Sequence, residues 1–119
     1  MSLQFLKEDC YQTHHLHCFC IEFYPDAQRR RGFHASQLID YSLEPNPDAE
    51  EDKEAPPQMF TLAFSTADVI IVGWRLDRLA DRLAQNELAA VGVLPKRYAE
   101  FDRQKPFVAS IQIKPVGRE

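Results

Sequence analysis

The residues of this chain best suited to chemistry stand together near its start. His14-His15-Leu16-His17-Cys18-Phe19-Cys20 sets five potential transition-metal ligands within seven residues. Imidazole and thiolate suit zinc or copper. The spacing is not that of a zinc finger, which pairs cysteines two to four residues apart and needs a second pair far downstream. Strand alternation divides the set further, because His15 and His17 face one way and Cys18 and Cys20 the other. His14 shares the cysteines' face but lies about 13 Å from Cys18 at ~3.3 Å per residue. One strand therefore offers at most two ligands to an ion. The metal reading completes the set as Cys18, Cys20, His34 and Asp40, the last two supplied by the following strand. The opposing reading makes the cysteines small, half-buried strand residues and the histidines hydrogen-bonded polar groups, with no cofactor and no tightly held structural metal.

Nucleophilic catalysis is poorly served. Cys18 and His17 are strand neighbours and point to opposite faces, which leaves Cys18 with His34 across strands as the alternative. No oxyanion donor or orienting third group accompanies that pair. Arg29-Arg30-Arg31 is a basic tip able to grip phosphate, an acidic partner or the chain's own acidic stretch. Arg75, Asp77, Arg78, Asp81 and Arg82 mix signs further on, so no single-sign stripe extends the tip, and it reads as a solvated hairpin end. Asp77 and Asp81 lie one helical turn apart, but Arg78 and Arg82 beside them make an ordinary solvated face. Gly32, Gly73, Gly92 and Gly117 are the only glycines and lie far apart, which excludes a phosphate-cradling loop of the nucleotide-binding kinds.

The elements that must position these groups are organised around residues 59–88. Met59 to Phe64 reads as a strand, Ser65-Thr66-Ala67-Asp68 as a turn, and Val69 to Val72 as an apolar strand. Gly73 before Trp74 reads as a strand-to-helix corner, followed by an amphipathic helix from Arg75 to Gln85. Leu76, Leu79, Ala80, Leu83 and Ala84 share its apolar face, and Asn86 suits its C-terminal cap. Upstream, His15, His17, Phe19, Ile21 and Phe23 alternate as a core-facing set ended by Pro25-Asp26. A loop from Asp26 to Gly32 follows. Phe33, Ala35, Ile39, Tyr41 and Leu43 then form the core-facing set of a second strand, paired with the first as a hairpin. Matching apolar faces sets Phe19 against Ile39, Phe23 against Ala35 and His17 against Tyr41, with Cys18 opposite Asp40 and Tyr24 opposite His34.

Glu44 to Pro57 holds six acids, one lysine and four prolines, a composition expected of a mobile surface loop. Ala89 to Leu94 reads as a short strand or a packed connection. Pro95 to Asp102 suggests one or two helical turns. Residues 1–13 show no clear period. Phe107, Ala109, Ile111 and Ile113 alternate with Val108, Ser110, Gln112 and Lys114 in a half-buried closing edge strand bounded by prolines, with Val108 pointing outward.

At 119 residues and 45% hydrophobic content the chain has the size of one domain, residues 1–119, with a single core. The expected fold class is α+β, a mostly antiparallel twisted sheet of about five strands with one main amphipathic helix packed on a face. Net charge is −4, which argues against a nucleic-acid or anionic-membrane partner. An acidic pair stands where a signal peptide needs an apolar core, and three cysteines make an odd number. Both point to a soluble, cytoplasmic protein with reduced thiols. The favoured function is a non-catalytic binding or interaction protein that self-associates as a homodimer through Phe107, Val108, Ser110 and Gln112. The alternatives are the metal- or thiol-dependent site and a small-ligand pocket between sheet and helix near His17, Tyr41 and Trp74.

Overall fold

A computed structural model describes residues 11–13, 20–93 and 105–117 of the chain. In order these residues form β1 (Tyr11–Thr13), β2 (Cys20–Asp26), β3 (Arg29–His34), β4 (Leu38–Pro45), β5 (Gln58–Phe64), β6 (Ala67–Trp74), α1 (Asp77–Ala84), β7 (Leu88–Gly92) and β8 (Phe107–Pro115). The architecture is α+β, mostly strands. In place of one sheet of about five strands there are two four-stranded sheets, ordered β1-β7-β2-β3 and β4-β5-β6-β8. All pairings are antiparallel except β2 with β7.

The second sheet follows directly from alternation. Phe60, Leu62 and Phe64 of β5 and Ala67, Val69, Ile71 and Gly73 of β6 are buried, while their neighbours are only partly covered. The bend at Ser65-Thr66 joins the two strands. Phe60 stands opposite Ile71 and Leu62 opposite Val69, so like faces coincide. On either side, Leu43 pairs with Phe60 and Ile111 with Ile71.

The first sheet corrects the expected hairpin. The run from Phe33 to Leu43 is not one strand. It stays in the first sheet to His34, makes a single 3-10 turn over Ala35–Gln37, and enters the second sheet at Leu38. His34 fastens this corner, its Nδ1 lying 2.7 Å from Ser36 Oγ and accepting from the Ser36 amide at 3.3 Å. The Gln37 carbonyl accepts from the Ser65 amide at 2.9 Å, which ties the turn to the β5–β6 bend. Strands that change sheet through a bend are how two stacked sheets are made from continuous chain. Phe23 therefore stands opposite Arg31, Ile21 opposite Phe33 and Cys20 opposite His34. Tyr24 is not opposite His34, and Ala35, Ile39 and Tyr41 belong to no pair with β2. The part of the expected register involving His17, Cys18 and Phe19 lies outside the described residues.

Both sheets supply one core. Phe33 stacks on Phe64 with centroids 4.3 Å apart, and Phe23 meets both edge-on at 6.0 and 6.1 Å. Leu76, Leu79 and Leu83 join the same cluster, as the apolar face of the helix requires, while Ala84 is exposed. The helix is shorter than its pattern, eight residues, and it lies against β7. Asn86 takes φ 59° after it, the left-handed conformation of a C-terminal stop. The strand-to-helix corner falls at Arg75 and not at Gly73. Arg75 has φ 55°, its Nε donates to the Lys105 carbonyl at 2.7 Å, and the Leu76 amide donates to Gln58 Oε1 at 2.6 Å. Gly73 is instead a strand residue whose added Cβ would lie 2.1 Å from the Phe107 carbonyl oxygen. Close approach of β8 at its bulge therefore requires glycine there.

The acidic stretch is narrower than its composition suggests. Glu44 and Pro45 belong to β4, and Pro47–Glu50 is a 3-10 turn. Buried Asn46 closes its base, with Nδ2 donating to Pro56 O at 2.8 Å and its amide to Pro57 O at 2.9 Å. The expected helix after Pro95 lies outside the described residues. Among the described residues no helix is long and apolar enough to cross a membrane.

Candidate functional site

Among the described residues β3 ends the first sheet and β8 ends the second, and the two edges flank one groove. The arginines are positioned by a tight turn. Asp26 Oδ1 accepts from the Gln28 amide at 2.8 Å, which turns the chain within Ala27-Gln28 and returns it as β3 from Arg29. The expected loop from Asp26 to Gly32 is thus mostly strand. Charged side chains are at home on a sheet edge, where nothing covers them and where they discourage unwanted pairing.

Within β3 the three arginines are held differently. Arg29 Nε lies 3.6 Å from Asp26 Oδ2, and Arg30 Nε lies 3.4 Å from Glu22 Oε2. Arg31 makes no ion pair among the described residues; its guanidinium carbon sits 4.9 Å from the centroid of Phe33. Stacking on an aromatic face fixes the guanidinium plane and leaves its N–H fork available. Among the described residues neither Arg29 nor Arg31 is ion-paired with the chain's own acidic stretch, which leaves from β4, at the far side of the sheet from β8.

The opposite wall comes from β8. Its pairing with β6 slips between Val72 and Gly73, so that Val72 faces Ser110 and Gly73 faces Val108. The slip buries both Phe107 and Val108, at 4% and 0% exposure, and it corrects the expectation that Val108 points outward. Beyond it, Ile111 is buried, Ile113 is partly buried, and Ser110, Gln112 and Lys114 are exposed. The groove between the walls has a volume of about 830 Å³. Pro25 and Arg29–Arg31 line one side and Ile111–Pro115 the other, with no acidic residue among them.

The other candidate residues do not converge. Tyr41 stands opposite Leu62 on the inward face of the second sheet, its ring 5.9 Å from Phe60. Trp74 alternates with buried Gly73 and tilts against Phe107 at 5.7 Å, on the other face and two strands away. His17, the third member of the expected ligand pocket, lies outside the described residues, as does Cys18. Of the remaining metal candidates, Cys20 and His34 are cross-strand neighbours and both exposed, whereas Asp40 is in the other sheet opposite Ala63. The change of sheet at Ala35–Gln37 separates Asp40 from His34. Among the described residues no group of three or more His, Cys, Asp or Glu side chains is placed to hold a metal ion.

Of the interface candidates, Ser110 and Gln112 remain accessible, and Gln112 lines the groove. Arg31, Phe33, Ile111 and Ile113 are the site residues that sequence reasoning did not bring together. The signal was present only in pieces, as a basic run and a proline-bounded strand. Compared with known families, curated proteins and solved structures, the chain matches none.

Proposed function

We propose that this chain is a non-catalytic interaction module that accepts an extended segment of another protein in the groove between β3 and β8. One observation carries the reading: the edge strands of two different sheets flank the same groove of about 830 Å³. An edge strand presents a row of backbone N–H and C=O groups, and an extended peptide can satisfy them by adding as a further strand. The groove is of a size that specific binding sites commonly have. Among the described residues, β8 pairs only with β6, which leaves its other side to the groove. The odd cysteine count and exposed Cys20 favour a reducing, cytoplasmic setting for such a module. Amide hydrogen exchange tests the reading: excess extended peptide should slow exchange along residues 110–115. Unchanged exchange there under saturating peptide removes it.

Self-association is a second reading, favoured by a separate observation. The two exposed large hydrophobic residues among those described, Ile39 at 57% and Tyr41 at 40%, both lie on β4, the other edge of the second sheet. A homodimer formed there would pair β4 with its copy, and it would not use Phe107 or Val108.

A further inference from the structure

Resting on the strand-addition reading, we infer that the segment accepted by the groove is acidic at alternate positions, and that Arg29 and Arg31 are the residues that read it. The groove wall carries Arg29, Arg30, Arg31 and Lys114, and among the described residues no carboxylate lines it. The neighbouring acids are accounted for. Asp26 lies beside Arg29 and Glu22 beside Arg30, and Asp68 stands level with Lys114 across the β6–β8 pair. Arg31 and Lys114 make no ion pair among the described residues, and Phe33 beneath Arg31 holds its guanidinium in place.

Spacing gives the pattern. Arg29 and Arg31 are alternate residues of one strand and so share a side, roughly 6.6 Å apart along it. Alternate side chains of any extended peptide repeat at that same interval. Carboxylates at every second position can therefore meet both arginines at once, while the intervening side chains run past Gln112 and Lys114. Ile111 and Ile113 form an apolar floor beneath the site, and exclusion of water by that floor strengthens each charge-assisted hydrogen bond above it.

The same features disfavour the other occupants. A nucleic-acid strand would need a ring surface for its bases, and the aromatic ring at this wall among the described residues, Phe33, is buried at 3% exposure beneath Arg31. A second copy pairing β8 with β8 would bring two sets of arginines into one interface, where like charges oppose association.

The test uses the full chain and fluorescence anisotropy with labelled seven-residue peptides in which valine alternates with glutamate, glutamine or lysine. The glutamate peptide should bind best, and its affinity should fall as sodium chloride screens the contacts. Arg31→Gln should weaken it about threefold to tenfold, and Arg29→Gln combined with Arg31→Gln should weaken it further. Arg78→Gln, an equal change of net charge on exposed helix surface, should leave binding unchanged. Equal binding of all three peptides would leave strand addition standing and overturn the acidic specificity. Undiminished binding of a glutamate peptide N-methylated at every backbone amide would show charge attraction without strand addition, and so would sink the underlying reading alone. No binding of any peptide would overturn both. Tighter binding of an oligothymidylate that displaces the glutamate peptide would replace the acidic segment with a nucleic acid.

Discussion

Gly73 and Arg75 show what single residues can and cannot announce. Gly73 sits where the β8 backbone comes too close for any side chain, since a Cβ would lie 2.1 Å from the Phe107 carbonyl oxygen and 3.1 Å from the Val108 Cα. We predict that Gly73→Ala destabilises the protein by about 1 to 3 kcal/mol in a denaturant titration. Gly32→Ala provides the contrast, because its nearest neighbour would be the Glu22 Cγ at 3.8 Å and the change should be close to neutral. Equal losses at both glycines would mean that β8 does not crowd Gly73. The glycine was visible in the sequence as a special position, but it read as a corner because a strand had just ended its apolar run. The true corner, Arg75, adopts φ 55° in a residue type that gives no hint of it. Its Nε bond to the Lys105 carbonyl is a long-range contact, and no local pattern encodes it. Asn86 was legible for the opposite reason, because asparagine tolerates the left-handed region and stood where the helical period ran out.

Among the elements, those with strong local periodicity were the legible ones. β5, β6, the helix and β8 all fall close to where alternation or the helical period places them. The leucine face of α1 is buried as its spacing requires, with Leu76 and Leu79 at 0% exposure. Leu79→Ala should therefore cost about 2 to 5 kcal/mol, whereas Arg78→Ala on the exposed face should shift stability by no more than about 0.5 kcal/mol. Similar midpoints for the two variants would contradict the assigned face. The element that misled was the run from Phe33 to Leu43. Its apolar alternation continues almost without interruption, and the 3-10 turn at Ala35–Gln37 contains neither glycine nor proline to mark a break. The arginine run misled in the other direction, since three adjacent charges look like a loop unless the strand is known to lie at an edge. The β4 edge carries its own expectation. If copies of the chain associate there, Ile39→Lys should convert a dimeric mass to a monomeric one by light scattering. A variant that stays dimeric would place the interface elsewhere, and a monomeric parent would remove the self-association reading.

For the whole molecule, the candidate site is a product of topology, which is why the sequence left it in fragments. Arg29–Arg31 and Ile111–Pro115 are far apart in the chain and belong to different sheets. They face one another because the chain changes sheet at Ala35–Gln37 and because β8 adds outside β6 and not beside β4. Residue types could suggest a basic tip and an edge strand, but only the order of strands in both sheets makes them two walls of one groove. The same topology carries the chain's own acidic stretch to the far side of the second sheet, three strands from β8 and on the order of 14 Å across at ~4.8 Å per strand. Under the proposed reading, an acidic segment from another chain would meet Arg31 without an ion pair to displace among the described residues, and would share Arg29 with Asp26. Cross-strand nuclear Overhauser effects on the labelled chain saturated with the glutamate–valine peptide test this most directly. The account predicts contacts between peptide backbone protons and those of residues 110–115, in the spacing of a paired strand, with shifts at the Arg29 and Arg31 side chains. Contacts confined to β4 or to α1, with residues 110–115 unperturbed, would contradict it.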